Sequence, residues 1–142
     1  MRFGRRRGFS FIELLVVVAI IGVIVMAAVP YYKAGVMNAH EIAAMRAIQA
    51  LHAAEMQFYS QNDRFAASLA ELGPKMISPE LATGKKGGYQ FRIDLNPDGY
   101  GIHADPVTFD VSGSRTFYSD QTMIIRENRG SAPATAESPE AK

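Results

Sequence analysis

The sequence predicts an α+β protein: a long N-terminal α-helix, apolar in its first half and amphipathic in its second, packed against a small three- to four-stranded antiparallel sheet. Three observations carry this. Leu14 to Val29 contains no polar side chain; the stretch from Tyr31 to Phe65 has no proline and is rich in strong helix formers; and Tyr89 to Ala104 alternates apolar and polar residues about a central turn.

The chain opens with Arg2, Arg5, Arg6 and Arg7 and no acid among its first eight residues. Those four arginines belong to a total of 15 basic residues against 14 acidic ones, so the remainder is net acidic. That argues against a basic nucleic-acid binder, and no nucleic acid is expected as a direct partner. There is no cysteine, hence no disulfide framework and no thiolate chemistry.

From Phe9 to Val29 a helix would be about 31 Å long, close to the hydrocarbon thickness of a bilayer. The arginines before it orient it with its start in the cytoplasm. A cleaved secretory signal, with small residues at Met26-Ala27-Ala28, a plain single-pass anchor and a buried helix of a soluble protein would share parts of this pattern. Glu13 separates them. A carboxylate inside an apolar span costs roughly 2.5–3.5 kcal/mol at mid-membrane and less near the interface, so an inert anchor gains nothing from it. Cleavage after Gly8 would supply a compensating charge, the α-amino group of Phe9. Phe9 and Glu13 are four positions apart, which places both on one helix face, and the helix N-terminus adds partial positive charge.

RRRG followed by FSFIELLVVVAIIGVIVMAAVP resembles the class III signal and N-terminal helix of type IV pilins and type II secretion pseudopilins. The resemblance implies that a prepilin peptidase cuts between Gly8 and Phe9 and that Phe9 is N-methylated. It also implies that Glu13 neutralises the amine of a neighbouring subunit during assembly. Gly22 and Pro30 fall where that family carries its helix-loosening residues. Physics agrees with their role: proline removes a backbone donor and clashes with the carbonyl of Met26, and glycine lowers helix propensity by about 1 kcal/mol. The stretch between them is expected to unwind partly when subunits pack; a simple membrane-helix kink at Pro30 is the alternative.

The implied organisation is a leader over 1–8, a transmembrane and filament-core helix over 9–30, a pilin-like globular domain over 31–127, and a disordered tail over 128–142. Tyr31 and Tyr32 suit the outer membrane–water interface. Beyond them the helix should continue to about Ser60, with Met37, Ala44, Ile48, Leu51 and Phe58 forming the stripe that seats the domain. The opposite side, with Ala39, Ile42, Arg46, Gln49, Ala50 and Ala53, is sparsely charged and suits either subunit contact or an ordinary mildly apolar surface.

Asn62-Asp63 should end the helix. Phe65, Leu69 and Leu72 are expected to close over it in a short helical turn before Gly73-Pro74 breaks the pattern. Tyr89, Phe91, Ile93 and Leu95 alternate with polar residues. Asn96-Pro97-Asp98-Gly99 then turns the chain into Tyr100, Ile102 and Ala104, an antiparallel hairpin. A loop from Asp105 to Gly113 leads to two short strands, Thr116 to Tyr118 and Met123 to Arg126. The tail, rich in Pro, Ala, Ser and Glu, reads as disordered by composition.

No catalytic residues, metal ligands or cofactor are expected. His40, His52 and His103 show no ligand-like grouping. Asp105, Asp110 and Asp120 are expected in loops, and pseudopilins as a family carry calcium in C-terminal loops, so the resemblance leaves calcium as an option without a residue-by-residue match to that pattern. Lysines 33, 75, 85 and 86 read as solvated surface. The function expected is a structural subunit of a type IV pilus-like helical filament, with three partners: further copies of itself, the prepilin peptidase and an inner-membrane assembly platform. Its precursor would lie in the inner membrane and its assembled form in an extracellular pilus. The alternatives are the major pseudopilin of a periplasmic type II secretion filament and a membrane-anchored periplasmic binding protein that never polymerises.

Overall fold

The computed structural model describes residues 8–142. Expectations for residues 1–7, which include the four arginines and most of the leader, lie outside the described residues. The chain divides into two compact units, Met1–Ala34 and Gly35–Lys142. Helix α1, Phe11–Asn62, supplies residues to both units.

In the first unit α1 begins one residue after Ser10 and runs without a break through Gly22 and Pro30. All its side chains from Phe11 onward are exposed, including Ile20, Ile21 and Val23. This stretch is long and apolar enough to cross a membrane.

In the second unit α1 presents Ala44, Ile48, Leu51 and Phe58 to the core, while Met37 is only half-buried. The helix stops at Asn62, where Asp63 turns left-handed (φ 53°) and its amide still donates to the Tyr59 carbonyl at 2.8 Å. Helix α2, Leu69–Met76, is interrupted at Gly73, whose φ of 62° and ψ of 176° are not helical, just before Pro74. It buries Leu69 and Leu72, and the one-turn helix α3, Pro79–Ala82, buries Leu81.

Five strands follow, in the order β1-β2-β3-β4-β5 with every neighbouring pair antiparallel. They are β1 (Lys85–Lys86), β2 (Tyr89–Asn96), β3 (Gly99–Pro106), β4 (Arg115–Asp120) and β5 (Arg126–Arg129). The hairpin falls in the expected register, with Ile93 opposite Ile102 and Leu95 opposite Tyr100. Tyr89, Phe91 and Ile93 of β2, Tyr100, Ile102 and Ala104 of β3, and Phe117 of β4 complete the core against the α1 stripe.

Several expectations are corrected. The sheet has five strands rather than three or four, because two lysines pair ahead of β2. β3 continues through Asp105 to Pro106, and Asp120 ends β4, so only Asp110 lies in a loop. The last strand begins at Arg126, since Met123 adopts φ 61° in the turn after β4, a conformation that ends pairing there.

The tail is also held rather than disordered. The Glu127 amide donates to the Pro139 carbonyl at 2.8 Å and the Ala141 amide to the Ile125 carbonyl at 2.9 Å, which lays residues 139–141 along the outer edge of β5. Ala134 is 1 % exposed, and the Ala132 carbonyl accepts from Thr116 Oγ1. Backbone pairing of this kind covers an open strand edge.

Candidate functional site: the N-terminal processing and assembly segment

Gly8, Phe9 and Ser10 precede α1 as non-helical backbone, and Phe9 is 82 % exposed. The Gly8–Phe9 bond therefore lies outside any hydrogen-bonded element. Ser10 occupies the position before the helix, and its carbonyl accepts the first helical bond from the Leu14 amide at 3.2 Å. Glu13, three residues on, turns back so that its Oε2 accepts the Ser10 amide at 2.9 Å. This is the acid half of a capping box, in which a carboxylate satisfies one of the orphan amides of the first turn and sits favourably in the helix dipole.

Glu13 thus has a local use in the uncleaved chain. The amine expected to pair with it does not yet exist there, because Phe9 N is a peptide nitrogen. A Cβ placed on Gly22 would meet nothing within 4 Å, so no packing within a single chain calls for glycine at that position. Pro30 lies inside continuous helix with its missing donor unreplaced.

Residues 4–29 match the family model described as the prokaryotic N-terminal methylation motif. Over 86 residues, 61 % of the chain, the sequence is 35 % identical to the type IV major pilin protein PilA of Myxococcus xanthus strain DK1622. The chain spans 37 % of that relative's length. Neither similarity is to an enzyme, and no solved structure matches the chain. The match to the methylation motif ends at residue 29, and the groups described next lie beyond it.

In the second unit the sequence reading missed a set of buried polar groups. Glu41 is 3 % exposed: its Oε1 accepts from the Ser114 amide (2.8 Å) and hydroxyl (2.9 Å), and its Oε2 from Arg115 Nε (2.8 Å). Burial pushes the Glu41 carboxyl up, but the bonds from Ser114 and Arg115 outweigh it and hold it below the usual carboxylate value. Arg115 Nη1 also bonds Glu127, itself buried, and Glu127 accepts from Arg129 Nε at 3.2 Å.

His52 lies within 2.7 Å of the Tyr100 hydroxyl through Nδ1 and within 2.8 Å of Ser119 Oγ through Nε2. Because Ser119 Oγ donates to the Ile124 carbonyl, it must accept from His52 Nε2–H. A neutral ring then leaves Nδ1 to accept from Tyr100, consistent with burial driving the imidazole pKa down. Ser119 is fully buried and its proton is already committed, so this histidine–serine contact is a structural strut and not a nucleophile with its base. Glu55, 0 % exposed, accepts the Ala66 amide at 3.0 Å through Oε2, while its Oε1 has no partner; burial pushes this carboxyl up.

A signal for two of these acids was present. The expected stripe left gaps of seven residues between Met37 and Ala44 and between Leu51 and Phe58, and Glu41 and Glu55 fill them at helical spacing. Among the described residues, no three His, Asp or Glu side chains gather as a metal site. Asp120 instead caps its own turn, accepting from the Thr122 amide and hydroxyl.

Proposed function

We propose that the chain is a structural subunit of a type IV pilus-like helical filament. A prepilin peptidase would cut it after Gly8, Phe9 would be N-methylated, and an inner-membrane platform would assemble it through its apolar helix. The observation that carries this reading is Glu13, one acid at the mouth of an exposed apolar helix, in the segment that matches the N-terminal methylation motif. Once the chain is cut, the Ser10 amide can return to solvent or helix contacts, and the carboxylate becomes available to the Phe9 amine of an adjacent copy. Gly22 and Pro30 serve as the weak point at which the packed helix loosens. The precursor spans the inner membrane with its arginines in the cytoplasm.

Mass spectrometry of the mature protein is expected to show N-methyl-Phe9 as its first residue, and intact residues 1–8 in the working protein would refute the processing step. A Glu13→Ala variant should still be cut yet yield few or no sheared filaments; normal filament yield would leave an inert anchor as the better account. The domain closes without any cysteine, which favours a second reading as the major pseudopilin of a type II secretion filament. Electron microscopy of sheared cell surfaces separates the two, since only a surface pilus is released in long fibres.

A further inference from the structure

The bases of the second unit are unevenly engaged. Arg64, Arg92, Arg115 and Arg129 are each in an ion pair, and Arg126 donates to the Ser138 carbonyl. Arg46, Lys75, Lys85 and Lys86 have no acid within 4.0 Å among the described residues, and Lys86 Nζ donates to the Ser78 hydroxyl at 3.3 Å. Three of these four line a single groove between α1 and the α2–α3–β1 segment, over a floor that includes Ile42, Ile77 and Leu81. Both acids of α1 within this unit, Glu41 and Glu55, are turned into the core, so Arg46 is the only charge on the exposed face of the helix there.

The end of the sheet formed by the β2–β3 turn has the opposite character. Asp94 and Asp98 are exposed, Leu95 between them is 52 % exposed, and Asp120 lies alongside, paired in register with Gly101. Arg92 Nε lies 3.8 Å and His103 Nε2 3.4 Å from Asp94 at this end, while Asp98 and Asp120 have no ion pair among the described residues. A basic groove with an apolar floor and an acidic tip carrying an exposed leucine are therefore two different patches of complementary charge on one molecule, each with an apolar element. Two unlike patches that pair make a heterologous contact, which propagates into an open helix whenever its rotation does not close into a ring.

We propose that the groove of Arg46, Lys75 and Lys86 receives the β2–β3 tip of a second copy of this chain, with Leu95 on the apolar floor and Asp94, Asp98 and Asp120 facing the three cations. This rests on the filament reading above and adds to it a contact between globular units, independent of the apolar helix.

The test uses filaments of the full chain made from mixed ¹⁴N- and ¹⁵N-labelled subunits and treated with a zero-length carbodiimide. Links of mixed isotope joining Lys75 or Lys86 to Asp94, Asp98 or Asp120 are expected. Links from these lysines that map only to other carboxylates would overturn the contact. A charge-reversed groove, Arg46→Glu with Lys75→Glu and Lys86→Glu, should lower filament yield by about tenfold or more at an unchanged membrane pool. Adding Asp94→Lys, Asp98→Lys and Asp120→Lys to the same chain should restore it. Undiminished yield from the reversed groove would also overturn the contact. If the unsubstituted chain makes no filaments at all, the filament reading itself fails; filaments without these links sink only the contact.

Discussion

The two stretches of α1 share one secondary structure and treat their carboxylates in opposite ways. Before Ala34 every apolar side chain is exposed and the single acid, Glu13, sits at the helix mouth on a backbone amide. After Gly35 one face of the helix, with Ala44, Ile48, Leu51 and Phe58, is packed, and the two acids on that stretch, Glu41 and Glu55, are buried deeper than most of the leucines and isoleucines of the chain. Both stretches are helical; what each face must meet separates them. The first stretch is suited to lipid or to other copies of itself, where an unpaired charge is tolerated only at the end. The second has the start of β4 against it, which brings Ser114 and Arg115 to one acid, and the loop after α1, which brings the Ala66 amide to the other.

The largest effect should come from removing the partner that makes burial of Glu41 possible. Arg115→Met leaves Glu41 and Glu127 without their cation and should cost about 3–5 kcal/mol. That corresponds to a melting point lower by roughly 12 °C or more in thermal scans of the solubilised chain, with membrane insertion unchanged. A shift of only a degree or two would mean that the ion pair is not what holds this helix to β4.

The converse substitution places an acid where the first stretch has no partner for it. Ile21→Asp should cost roughly 2.5–3.5 kcal/mol of membrane insertion, read as a larger soluble or degraded fraction, while the melting of the globular unit stays the same. Equal insertion would show that the exposed apolar stretch does not reside in a bilayer.

The smallest effect is one of pH. Burial raises the Glu55 carboxyl above its ordinary 4.5, so the fold prefers its protonated form. Its favourable contribution is present below pH 4.5 and is lost as pH rises through the raised folded value. A Glu55→Gln variant should therefore gain most over the unsubstituted protein near neutrality, and the gap should close as pH falls toward 4.5. His52 has the opposite sign: its pKa is lowered, so its contribution is present above 6.5 and lost as pH falls through the folded value. Because His52 is common to both proteins, the difference between them isolates Glu55. A gap that widens on acidification would contradict the assignment.

Much of this architecture was legible because side-chain periodicity dictates it. Tyr89 to Ala104 alternates about a Pro-Asp-Gly turn, and the structure pairs those residues in register. The methylation motif was readable for a different reason, since Gly8, Phe9 and Glu13 stand at fixed separations close to the N-terminus. What escaped depends on contacts distant in sequence. Glu41 lies 74 positions from Arg115, and no local pattern announces that pairing. The tail escaped because its order comes from backbone bonds such as Ala141 to Ile125 and from one small buried alanine, while composition counts only large apolar side chains.

That last strip of chain has a practical side. Residues 139–141 occupy the flank of β5 where a foreign strand could otherwise dock, and they are joined to it through the exposed bend at Ser131 to Pro133. A protease nicking that bend would leave the domain whole but its flank bare, and such clipped molecules should be the ones that clump on storage.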